Sequence, residues 1–242
     1  MTPLHKQPFL PKFEHDPMAD MSPLMFDLLC TALAAEITDI PAFVCERIGQ
    51  VVKIGFSRVY STGVTVNEFV IATANPNLIA SWTTVLAASD GTKVQMTPYL
   101  HEAVLTEGEA RETSGGAGDV DGIPELLDLT HSTFEGKIRN AKQDLIVALK
   151  DYSAESSINI GNLGVYLVNK AGLIWGTTDS LASPIKFRPI PIQSFSITDK
   201  GAPGLEAKDH NGFKFYLAPN WSDTLYPVTP TDFGARVDLV NP

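Results

Sequence analysis

Along the 242-residue chain the spacing of apolar positions changes period several times. From Gly49 the pattern alternates, with Val52, Ile54 and Phe56 on one side and Lys53, Gly55 and Ser57 on the other. That period of two predicts a strand. Ser61-Thr62-Gly63 reads as a turn, after which Val64, Val66, Phe69 and Ile71 continue as a second strand, bulged where the parity slips. Leu78, Ile79, Trp82, Val85 and Leu86 switch to helical spacing behind Asn75-Pro76, and Ser89-Asp90-Gly91 stops them. Lys93 to His101 is again strand-like, with Pro98 confining it to an edge or a bulge.

The longest helical pattern covers about 133–151. Ser132 and Glu135 have the spacing of a capping box, in which each side chain satisfies a backbone N–H at the helix start. Phe134, Ile138, Ala141, Leu145, Ala148 and Leu149 then recur at three- and four-residue steps, and Lys137, Arg139, Asn140, Lys142, Gln143 and Asp144 fill the other face. A second helix, 22–36, opens on Ser22-Pro23 and is apolar around most of its circumference. Beyond the long helix the chain is more plainly β. Leu163–Val168 and Gly172–Thr177 flank Asn169-Lys170-Ala171-Gly172, a hairpin signal. Residues 185–197 read as extended, pushed toward a sheet edge by Pro184, Pro189 and Pro191. Asn211-Gly212 reads as a turn before the alternation Phe213, Phe215, Leu217, and 233–240 as a last strand. These elements predict a β-rich α+β fold: an antiparallel β-sandwich or barrel, one long flanking helix and an extended N-terminal arm.

The arm is 1–21, where Pro3, Pro8, Pro11 and Pro17 exclude a continuous helix. Its Leu4, Phe9, Leu10 and Phe13 are too apolar for a purely solvated tail, so it folds either on its own domain or on a neighbouring copy. Residues 22–242 read as a single domain. Within it, 106–123 form a composition break, with Glu107, Glu109, Glu112, Asp119 and Asp121 among Gly115, Gly116 and Gly118. A long acidic loop is expected there.

Composition narrows the function classes. The net charge of −10 argues against binding along DNA or RNA, which needs clustered Lys and Arg. No apolar stretch is long enough to span a membrane, and no secretory leader pattern is seen. Cys30 and Cys45 have no partnering Cys or His motif and are expected to be buried reduced thiols; spacing alone does not decide whether they pair.

Candidate chemistry is sparse. His5, His15, His101, His131 and His210 form no metal-ligand spacing, and no G-x-S-x-G elbow is present. Ser114 to Asp119 lacks the G-K-[ST] ending of a phosphate loop and is ringed by acids. Asp119-x-Asp121-Gly122 offers oxygens to calcium without the twelve-residue loop pattern. No catalytic residue, cofactor or metal is therefore expected. The candidate functional residues are assembly contacts: Phe9, Leu10 and Phe13 of the arm, Lys137 and Arg139 on the polar face of the long helix, and Trp175 and Trp221. Trp82 belongs to a helical stripe and reads as core, whereas Trp175 and Trp221 read equally as core or contact.

Residues 163–176 (LGVYLVNKAGLIWG), 189–201 (PIPIQSFSITDKG) and 212–223 (GFKFYLAPNWSD) resemble structural virion proteins of bacteriophages and prophages of Bacteroidota. Residues 81–98 and 132–145 are also similar, so the resemblance spans roughly 80–233. It implies a non-enzymatic subunit of a tail or neck ring or tube, made in the host cytoplasm and found in the virion, with copies of itself and other virion proteins as partners. A capsid shell protein is the alternative within that resemblance. From the residues alone, a hydrolase or sugar-binding module remains open, with two close carboxylates beside an aromatic such as Trp175.

Overall fold

The computed structural model describes residues 48–62, 65–113, 125–179, 185–201 and 209–242. The arm, the 22–36 helix, Phe9, Leu10, Phe13, both cysteines and Asp119–Asp121 lie outside the described residues. All described residues fall in one unit, Ile48–Pro242. The first half contains β1 (Val51–Arg58), β2 (Tyr60–Thr62), β3 (Thr65–Val66), β4 (Phe69–Val70), α1 (Ile79–Ala87), β5 (Val94–Met96), β6 (Leu100–Thr106), β7 (Ala110–Thr113), β8 (Glu125–Leu129) and β9 (Ser132–Arg139). Then follow α2 (Gln143–Ile158), β10 (Leu163–Asn169), β11 (Ile174–Asp179), β12 (Lys186–Arg188), β13 (Ile190–Ile197), β14 (His210–Leu217), β15 (Leu225–Val228) and the helical turn α3 (Ala235–Asp238).

Eleven strands share one antiparallel sheet, in the order β4-β12-β11-β10-β13-β14-β9-β6, with β1 beside β10, β5 beside β1 and β15 beside β11. β10 sits at the centre because both its faces are apolar, and all seven of its residues are buried. Leu163, Val165 and Leu167 face one core with Ile54 and Phe56 of β1, Phe195 of β13, Phe213 and Phe215 of β14, and Phe134 of β9. Tyr166 and Val168 face a second core with Val94, Met96 and Phe187, closed by Trp82 and Leu86 of α1 and by Ala235 and Leu239 around α3. Such a run, buried on both faces, is the pattern of a middle layer. Phe56 joins the layers on the first side: its ring centroid lies 4.7 Å from that of Phe195 and 6.3 Å from Phe213 and Phe215.

The circuit β1-β10-β13-β14-β9-β6 is joined at its ends by the chain itself. β5 pairs with β1, and after Thr97–Tyr99 the chain continues as β6, which pairs with β9. Among the described residues no ladder joins β1 to β6, so the fold is a β-rich α+β sandwich and not a closed barrel.

The long helix is displaced from its expected position. Residues 132–139 are strand β9, and α2 starts ten residues later, at Gln143. A four-residue step such as Phe134–Ile138 fits both a helix and a strand, but the whole segment alternates strictly, with Ser132, Phe134, Gly136 and Ile138 buried. Asn140, at φ +56°, separates the two elements. From Gln143 onward the helical pattern holds, with Leu145, Ile146, Leu149 and Tyr152 buried.

Three smaller expectations also change. β13 lies inside the sheet order and not at its edge, because its prolines mark a change of partner. Its start pairs with β10 at Ile190 and Pro191, and Ile192–Ile197 pair with β14. The edge that this leaves uncovered is closed by α2, where Ser156 Oγ accepts the Phe195 N–H at 3.2 Å and Ser153 Oγ donates to Phe195 O at 3.0 Å. Asn211-Gly212 is within β14, tied to Thr198 by Asn211 Nδ2 donating to Thr198 O at 3.0 Å. The 233–240 segment forms α3 and an anchored tail, and the last strand is β15. The 169–172 hairpin is as expected: Gly172 has φ +92° and donates its N–H to Asn169 O at 3.0 Å.

Candidate assembly surface

β9 places Lys137 and Arg139 on the outer face of the sandwich, two residues apart on one side of a strand. Their acidic partner is in the same chain. Glu102 occupies a left-handed backbone position, φ +52°, at a bulge in β6, and its carboxylate takes a hydrogen bond from Lys137 and lies 3.8 Å from Arg139 Nη2. The Lys137 hydrogen bond, followed by its charge, holds the Glu102 carboxyl below its ordinary pKa. One strand further, Lys214 Nζ pairs with Glu135 Oε1 at 2.7 Å and lies 5.2 Å from the Tyr216 ring centroid. The hydrogen bond to Glu135 is the main cause that raises the Lys214 pKa. Cross-strand opposite charges of this kind stabilise a sheet face weakly and fix its register. The face is thus a charge-paired ladder and not a bare basic row.

The two tryptophans differ. Trp175 is 4% exposed and packs in the first core, with its Nε1 unpartnered in the structure. Trp221 is half-buried after the Pro219-Asn220 turn, where Asn220 has φ +60°, and its Nε1 donates to Ser132 Oγ at 3.2 Å. Ser132 Oγ also accepts the Gly108 N–H at 3.2 Å. The serine read as a helix cap instead ties a loop to a strand.

That loop begins the most unusual part of the surface. Beyond Thr106 and before Ser132, β7 and β8 pair with one another as a separate two-stranded sheet, from Ala110–Leu129 to Thr113–Glu125. Gly108 permits the junction: a Cβ there would stand 2.0 Å from Thr130 O. Thr130 N–H donates to Glu109 O at 2.9 Å and keeps the two chains in step. The composition break at 106–123 therefore carries strand β7 at its start, and 114–124 lie outside the described residues. At about 3.3 Å per residue, the four paired residues of this separate sheet span roughly 13 Å.

An apolar exposure was not singled out from the pattern. Ile158 ends α2 80% exposed and Ile160 follows at 71%. The sequence signal was two isoleucines inside the turn-like Ser-Ile-Asn-Ile-Gly-Asn, where polar residues are expected. Beside them Arg58 binds Glu155 in a bidentate pair, Nε–Oε1 2.8 Å and Nη2–Oε2 2.7 Å, which fixes the end of β1 to α2. A polar groove of about 660 Å³ runs between α2 and the start of β14, bordered by the pairs Lys150–Asp199 and Lys200–Asp209. Among the described residues no cluster of three His, Cys, Asp or Glu side chains has metal-binding geometry. No described helix is long and apolar enough to cross a membrane.

Neither a known protein family nor a curated protein matches this chain. Among solved structures, it is similar to a chain in the tail of an empty GTA particle with C6 symmetry, at 11% identity and a TM-score of 0.32, over 55% of this chain and 85% of that one. A likeness of that size leaves function to the features of the chain itself.

Proposed function

We propose that this protein is a non-enzymatic structural subunit of a phage-type virion, assembling with copies of itself into a ring or tube of the tail or neck. The observation that carries the reading is the β7–β8 pair, a two-stranded sheet that shares no ladder with any other described strand. A subunit of a closed ring uses elements paired apart from its main sheet to engage its neighbours through head-to-tail contacts. The exposed Ile158 and Ile160 add apolar surface of the sort that assembly covers. The virion-like segments 163–176, 189–201 and 212–223 fall on β10–β11, β13 and β14, which neighbour one another in the sheet. A net charge of −10 suits a channel wall along which DNA passes without adhering.

Negative-stain electron microscopy of the purified chain at rising concentration tests this. Rings or short tubes are expected. Closed shells would favour a capsid protein, and a monomer at every concentration would overturn the proposal.

A further inference from the structure

β5 is a three-residue strand that pairs with β1 alone. Gln95 faces Phe56, and Thr97 N–H donates to Ile54 O at 2.8 Å, so the backbone groups of Met96 between them point away from β1. Groups of this kind, on the outer edge of a sheet, invite a strand from another molecule. Here one side chain satisfies both. Met96 N–H donates to Asn241 Oδ1 at 2.8 Å, and Asn241 Nδ2 donates to Met96 O at 2.9 Å. A carboxamide has the donor and acceptor of a peptide group, so Asn241 occupies the edge as one residue of an added strand would.

The segment that delivers Asn241 is anchored at two further points. Leu239 is fully buried in the second core. Lys53 on β1, 3% exposed, donates from Nζ to Leu239 O at 2.9 Å, and its ammonium stands 5.5 Å from the Tyr99 ring centroid. Val240, between the two anchors, is 57% exposed. The tail therefore lies along the sheet edge with alternate residues in and out, held by one leucine and three hydrogen bonds. Beneath it is a small cavity of about 210 Å³, bordered by Lys53, Thr97, Pro98 and Asn241.

We infer that residues 239–242 form a strap that occupies the outer edge of β5 and blocks strand addition there by a second copy of the chain. Its Asn241 contact is releasable: opening it uncovers a backbone donor and acceptor while Leu239 stays in the second core and the sandwich stays intact. This inference is independent of the virion role, since a chain that never forms rings still has this edge.

Asn241→Ala in the 242-residue chain tests it, because Leu239 and Lys53 remain in place. By sedimentation velocity, with far-UV circular dichroism as the folding control, the variant is expected to begin self-association at a concentration about tenfold below that of the parent, as two gained backbone hydrogen bonds would give. Amide exchange at Met96 should be faster in the dilute variant and slow again as copies pair. Lys53→Met, which releases the Leu239 carbonyl instead, should shift the onset in the same direction and serves if Asn241→Ala loses its fold. Onset unchanged from the parent in a folded variant overturns the inference.

Discussion

β10 and β9 belong to the same sheet, with β13 and β14 between them, yet they are held by different forces. β10 has a core on each side and carries no charged residue, whereas β9 buries Ser132, Phe134, Gly136 and Ile138 and turns Thr133, Glu135, Lys137 and Arg139 outward. The middle layer is therefore fixed by packing, where each lost methylene leaves a void. The outer layer depends on packing from one side only, and its wet face contributes register and surface chemistry. Mutations should separate the two layers by the size of their effects.

The largest effect is expected at Phe56, fully buried where the layers meet. Phe56→Ala should cost about 3–5 kcal/mol and lower the denaturant midpoint at unchanged slope. A cost near that of a surface change would mean the layers are not joined there. On β9, Gly136→Val is next. A Cβ at Gly136 would stand 2.8 Å from Phe213 Cζ, so overpacking of about 1–3 kcal/mol is expected. Glu68→Gln follows. Glu68 is mostly buried and binds Lys186 Nζ at 2.7 Å and Arg188 Nη2 at 2.8 Å, and losing its charge should cost roughly 1–2 kcal/mol. The smallest effect is expected on the outer ladder, where Lys137→Ala should change stability by less than about 1 kcal/mol, since exposed pairs contribute little.

Acid and base distinguish the same regions. Burial pushes the Glu68 carboxyl up, but the hydrogen bonds and charges of Lys186 and Arg188 outweigh it and leave the pKa below its ordinary 4.5. Its contribution is therefore present above that value and lost as pH falls through the lowered one. Thermal melts of Glu68→Gln should show a flatter acid limb than the parent. For Lys53, burial lowers the pKa below its ordinary 10.5 and the charge of Asp238 opposes this in part; the Tyr99 ring is the other group facing it. Between the lowered value and 10.5 the unfolded chain binds more protons, so this group adds stability as pH rises. Lys53→Met should remove that rise.

The same contrast shows what the residues disclose. β10–β11 was legible because a six-residue apolar run, 163–168, ends in a turn whose Asn169 and Gly172 both take part in its hydrogen bonds. β9 was misread because Ser132, Phe134, Glu135 and Ile138 satisfy helical and strand spacing at once. Gly136, a poor helix residue that fits only against the Phe213 ring, was the counter-signal. The prolines of β13 pointed to a sheet edge, whereas they mark a change of partner inside the sheet, and the serines of α2 that cover the vacated edge lie 42 and 39 residues away in sequence, beyond any local pattern. The assembly contacts were least legible. Lys137 and Arg139 are half-buried on the outer side of β9, and Glu102 reaches them only through a bulge in another strand. The indole of Trp175 is in the core, as one of its two readings had it.

The role of the β7–β8 pair is best tested by joining Thr106 to Ser132 through a short glycine-serine turn and imaging the product beside the parent. The account predicts rings or tubes from the parent, and from the shortened chain a folded monomer with unchanged far-UV circular dichroism. Identical assemblies from both chains, or none from either, would contradict it.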